Sequence, residues 1–107
     1  MPAPSRRFHT RVESRERVWV YWECNGSRDL SRVRNLSMGG LFLETAKAQQ
    51  VGTTTHLYFL VDDGEIRADA IVQHVRTGGG LGLRFHAVSE RDRPNLAALM
   101  TRLSNLE

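Results

Sequence analysis

The sequence predicts an all-β domain, a six-stranded antiparallel β-barrel with a C-terminal α-helix. Three observations lead there. Short runs in which apolar and polar residues alternate recur as far as Phe85, and they are rich in β-branched and aromatic types. Glycine-bearing turns separate them, among them Asn25-Gly26 and Asp63-Gly64. After Phe85 the apolar spacing changes from two to three and four.

The first strand is expected over Arg17–Cys24, where Val18, Val20, Trp22 and Cys24 alternate with Trp19, Tyr21 and Glu23. Asn25-Gly26 opens a turn that returns the chain as a hairpin into "LSRVRNL". "SMGG" breaks that second strand, and "LFLET" supplies a third. "AKAQQVG" reads as a loop and residues 54–61, "TTHLYFLV", as a fourth strand. The Asp-Gly turn leads into "EIRADAIVQHVR", the long fifth strand, and "LGLRF" is the sixth, after "TGGG". Many short strands joined by tight turns are the pattern of a barrel or sandwich. Leu96, Leu99, Met100, Leu103 and Leu106 then form the stripe of an amphipathic helix over about residues 92–106. Two starts are open: Ser89 with Asp92 resembles a capping box but sets Pro94 beyond the first turn, whereas an N-cap at Asp92 places Pro94 within it.

Residues 1–16 show no hydrophobic period and contain Pro2, Pro4, Arg6, Arg7, Arg11 and Arg15. They read as a flexible basic arm ahead of a barrel domain spanning residues 17–107. At 107 residues the chain has room for one domain. No segment approaches the roughly 18 apolar residues of a membrane helix, and "MPAPSRRF" carries neither a secretory nor a lipidation pattern, so a cytoplasmic location and no membrane span are expected. Cys24 is the one cysteine, inside an apolar run, and behaves as a small hydrophobe. The four histidines follow no metal-site spacing, so no metal is expected. No nucleophile stands at a recognisable distance from a base, so no catalytic residue is assigned and the chain reads as a binding protein, not an enzyme. "TGGGLG" precedes a strand instead of a helix, unlike a phosphate-binding loop.

The chemistry of interest lies in two stretches. "RRFHTRV" sets Arg6, Arg7 and Arg11 close together, and "NLSMGG" offers the Asn35 amide, the Ser37 hydroxyl and two glycines, Gly39 and Gly40, whose backbone permits close approach. Taken alone, the first is a solvated basic tail and the second a turn that satisfies its own backbone groups. In that order, Arg7-x-x-x-Arg11 and Asn35-x-Ser37-x-x-Gly40 resemble the paired signature of PilZ domains, receptors for cyclic di-GMP. "GLFLET", "IRADAIVQHV", "GLGLRF" and a short terminal helix extend the resemblance over most of the chain.

The resemblance implies a PilZ-like split barrel that binds cyclic di-GMP as its ligand, with no further cofactor. It implies that Arg7 and Arg11 hold guanine and phosphate, that Asn35 meets a guanine edge, that Ser37 lies near a phosphate or base, and that Gly40 permits a tight backbone. The family more often has Asp where this chain has Asn35, and both accept hydrogen bonds. Arg6 resembles the extra arginine of members that bind two stacked ligand molecules. His74 falls where some members place an aromatic residue against the ligand, although its alternation with Ala68, Ala70 and Val72 fits an ordinary barrel position equally. The chemistry is compatible: a guanidinium fork can meet the O6 and N7 of guanine with two bonds, stack on a purine, or pair with phosphate.

The function expected is a cyclic di-GMP receptor whose arm becomes ordered on the barrel and signals to a downstream protein. Two alternatives stand beside it. One is a PilZ-like interaction module without ligand; the other is a small-barrel nucleic-acid binder using Trp19, Tyr21 and Trp22 as a stacking platform. Trp22 shares a face with Val18 and Val20, which argues against the platform, and no nucleic-acid partner is expected.

Overall fold

A computed structural model describes the backbone of residues 12–104 and the side chains of residues 17–104. Arg6, Arg7 and Arg11 lie outside the described residues. The chain forms β1 (Val12–Cys24), β2 (Ser27–Ser37), β3 (Gly40–Glu44), β4 (Thr54–Leu60), β5 (Arg67–Arg76), β6 (Gly80–Val88) and α1 (Arg93–Ser104). All strand pairs are antiparallel and close into a barrel in the order β1-β2-β3-β6-β5-β4, with β4 returning to β1.

The alternation read from the sequence decides what lies inside. Val18, Val20, Trp22 and Cys24 of β1 are buried with Val33, Leu36, Leu41, Leu43, Leu57, Phe59, Val72, Leu81 and Leu83. Trp22 also donates its indole Nε1–H to Ser31 Oγ at 2.8 Å, which satisfies the polar edge of the largest core side chain. Asn25 and Gly26 both adopt positive φ, 51° and 80°, the conformation that a two-residue hairpin between twisted strands demands.

The largest boundary differences from the sequence reading are in β1, β2 and β6, and β2 begins at Ser27 instead of Leu30. β1 begins at Val12 instead of Arg17, pairing Val12 with Leu36 and Glu13 with Asn35 before a register irregularity leads to Val18. The five residues involved, "VESRE", carry no apolar alternation, so the pairing with β2 was invisible locally. β6 likewise runs on to Val88.

The helix closes over the barrel through Leu96, Leu99 and Leu103, all buried. Its start agrees with an N-cap at Asp92, whose carbonyl accepts from the Asn95 and Leu96 amides. The Asp92 carboxylate does something else: only 1% of the residue is exposed, and Oδ2 accepts from the backbone N–H of Arg67 at 3.0 Å. It ties the first residue of β5 to the base of the helix. The other end is held by Arg102, which donates Nη2–H to Asp63 Oδ1 at 2.7 Å and Nε–H to Oδ2 at 3.0 Å. That fork holds the Asp63 carboxyl below the usual carboxylate range, its hydrogen bonds outweighing the opposing effect of burial.

Candidate functional site

Two β-bulges build the outer face that carries Asn35 and His74. In β2, Val33 pairs with Leu43 but Asn35 pairs with Phe42, so Arg34 is an extra residue in the ladder. Strict alternation from Val33 would turn Asn35 into the core; the bulge turns it outward, half-buried, and returns Leu36 to the inside. In β5 the same thing happens between Val72 and His74, where Gln73 is the extra residue. His74 therefore leaves the inward series of Ala68, Ala70 and Val72 and lies exposed on the outer face. This corrects the ordinary barrel position that simple alternation suggested for it.

The consequence is a row across four strands. Asn35 is opposite Phe42, Phe42 opposite Gly82, and Gly82 opposite His74. Gly82 has no side chain, and the space a Cβ would take there is filled by the His74 ring. That ring stacks on Phe42 with centroids 6.1 Å apart and planes 29° from parallel. Phe42 is only 7% exposed yet belongs to no part of the inner core, so it is buried on the outside of the barrel, beneath this cover.

The neighbouring outward row carries the turn. Ser37 is opposite Gly40, and Gly40 opposite Arg84. Ser37 Oγ accepts from the Gly39 N–H at 3.1 Å and the Gly40 N–H at 3.2 Å. The Gly39 carbonyl accepts from the Phe85 N–H at 2.8 Å, stitching the turn to β6. A Cβ on Gly40 would collide with the Leu83 carbonyl oxygen, so the position demands glycine through close approach rather than through its dihedral angle. The two glycine amides that the sequence suggested for a ligand are thus taken by Ser37, whose buried hydroxyl shapes the turn.

Beside the turn opens a cleft of about 690 Å³, within the ordinary range for a small-molecule site, bounded by Met38, Gln73, Arg84, His86 and Arg93 as well as by the turn itself. Arg84, Arg93 and Gln73 were missed from sequence. Arg84 had one available signal, its outward parity in "LGLRF"; Gln73 owes its position to the bulge, which the sequence does not announce. Among the described residues, no group of His, Cys, Asp and Glu is arranged to hold a metal ion.

These features coincide with a family match. A family model for PilZ domains matches residues 5–102. The chain belongs to the PilZ family. Solved structures share its fold. The PilZ domain of YcgR from Escherichia coli, whose structure holds c-di-GMP, superimposes with a TM-score of 0.76 at 22% identity, covering 94% of this chain and 93% of that one. The inhibitor of motility MotI/DgrA from Bacillus subtilis gives 0.77 at 18% identity, and the MrkH–c-di-GMP complex of K. pneumonia gives 0.73 at 18%. The present PilZ domain covers 97% and 94% of itself in those two comparisons but only 54% and 52% of the partners, about half of their length. Among curated protein sequences none matches significantly. No helix of the described residues is long and apolar enough to cross a membrane.

Proposed function

We propose that this PilZ domain is a receptor for cyclic di-GMP that works by binding and not by catalysis. One observation carries the reading: the pairing of Val12 with Leu36. Val12 directly follows the arginine motif and Leu36 directly precedes Ser37, so the strand register delivers the end of one motif to the start of the other. On this reading two stretches some two dozen residues apart in sequence serve one ligand. The residues assigned to the ligand directly are Arg6, Arg7, Arg11, Asn35 and His74, while Ser37, Gly39 and Gly40 serve it through the shape of the turn they form.

Arg7 and Arg11 supply charge-assisted bonds to phosphate and to the guanine edge, Asn35 adds an amide from the bulged strand, and the exposed His74 ring, backed by the buried Phe42, offers its face to a purine. Ser37 and Gly40 hold the turn in shape. Arg6 serves a second, stacked ligand molecule. The leading arm becomes ordered over the barrel on binding and presents a changed surface to a downstream protein, because a ligand that contacts only the closed form shifts the population towards it. A cytoplasmic site of action follows from that role.

Calorimetry with cyclic di-GMP tests the proposal, with cyclic di-AMP, GTP and a single-stranded oligonucleotide as controls. Arg7→Ala and Arg11→Ala should each cost about 2 kcal/mol, roughly 30-fold in affinity. Flat heats with wild-type protein at millimolar ligand, or unchanged affinity in both variants, would overturn it.

A further inference from the structure

The opposite wall of the barrel carries a feature that the ligand reading does not use. Of the large hydrophobic residues exposed among the described residues, most gather on the outer face of β4, β1 and β2: Leu60 49%, Trp19 39%, Tyr58 40%, Tyr21 38% and Leu30 47% exposed. The registers make them one patch. Leu60 is opposite Trp19, and Tyr58 is opposite Tyr21, which is in turn opposite Leu30. A contiguous apolar patch on a small domain marks an interaction surface, and paired aromatic residues are favoured interface anchors.

The order of residues along β1 indicates what covers it. Its outward positions read Arg17, Trp19, Tyr21, Glu23, all exposed. This series is its own complement when reversed. If a second copy lies face to face, related by a two-fold axis crossing β1 above Val20, Trp19 of each copy falls on Tyr21 of the other. Arg17 of each then falls on Glu23 of the other. The alternative two-fold, with its axis along the strand, would stack Arg17 on Arg17 and Glu23 on Glu23, which like-charge repulsion disfavours. On β4 the same operator sets Leu60 over Tyr58. A two-fold contact must be self-complementary, and this face meets that condition in both shape class and charge.

We infer that the outer face of β4, β1 and β2 is a homodimer interface, with the two β1 strands crossing antiparallel. Sheets packed face to face hold their strands within about 30° of alignment, which suits a contact centred on one strand and its two neighbours. A face three strands wide and seven residues long measures about 15 by 23 Å from strand spacing and rise. That is small for a specific interface, so the dimer is reversible. The turn at Ser37–Gly40 joins β2 to β3 and is not part of the contact, which leaves the proposed ligand surface open in both copies.

Sedimentation equilibrium of ligand-free protein from about 1 µM to about 1 mM reads the association directly, and does so independently of any ligand. Dimer should accumulate with concentration. Trp19→Glu should leave a folded monomer with a single cooperative melting transition, because Trp19 is outside the core; Tyr58→Glu serves the same purpose. Arg17→Glu and Glu23→Arg should each weaken association about tenfold, and the double exchange should restore it to within about threefold, since each cross-pair is then rebuilt in reverse. A protein that stays monomeric throughout, a dimer indifferent to both aromatic substitutions, or a double exchange no better than the single ones would overturn the inference.

Discussion

Removing the Ser37 hydroxyl should damage the fold before any ligand is added. In Ser37→Ala the Gly39 and Gly40 amides lose the oxygen that accepts from them at 3.1 and 3.2 Å. The pairing of Ser37 with Gly40 and the bond from Phe85 N–H to the Gly39 carbonyl keep the turn's backbone in place, so the amides cannot readily rotate towards new acceptors. Each orphaned donor costs about 1 to 3 kcal/mol when buried. Both bonds are long and only partly buried, so water recovers some of the loss and the lower end applies. The sum is about 2 kcal/mol, or about 8 °C in melting temperature for a domain of this size. Circular dichroism on heating gives the stability, and amide hydrogen exchange by NMR should show Gly39 and Gly40 accelerated while strands β1 and β4 stay protected. A melting temperature within about 2 °C of wild type, with unchanged exchange at both glycines, would refute the assignment of this hydroxyl to the turn.

Two further predictions concern groups away from the turn. Thr55 is fully buried and its Oγ1 has no hydrogen-bond partner, so Thr55→Val, which keeps the shape and removes the stranded hydroxyl, should raise stability by about 1 kcal/mol in urea unfolding. Asp63 has its carboxyl held below the ordinary range by the Arg102 fork, so the ionised form favours the folded state. That contribution is complete above the unfolded carboxylate value of about 3.9 and is lost as pH falls through the lower folded value. Asp63→Asn should therefore cost about 1 to 2 kcal/mol near pH 7, discounted for the partial exposure of Arg102, and progressively less below about pH 4. A penalty that did not change with pH would show that the charge on Asp63 contributes nothing to the fork's stabilising effect.

The parts of the fold that were legible in sequence are those decided by neighbours in the chain. Asn25-Gly26 announces its own turn because few other pairs tolerate two positive φ angles, and the series Val18, Val20, Trp22 announces a strand with one buried face. The extension of β1 to Val12 was not legible, because "VESRE" has no apolar pattern of its own and its pairing with β2 is through Val12 and Glu13 alone among the partners in register. The site followed the same division. Its motif residues could be named, but the reason Asn35 and His74 share a surface is a pair of bulges, and a bulge is a property of two strands in register. Gln73 was missed for that reason, whereas the outward parity of "LGLRF" did signal Arg84. Ser37 was expected near a phosphate or base, and in the structure its hydroxyl accepts from the backbone amides of its own turn.

Cys24, at the last position of β1, is the sole thiol in the chain and is 1% exposed. A water-soluble alkylating reagent can reach its sulfur only in molecules whose strands have parted, so the slow appearance of labelled protein under native conditions would time how often the barrel opens. The sequence therefore contains its own clock for that rare event, without any added chromophore or engineered reporter.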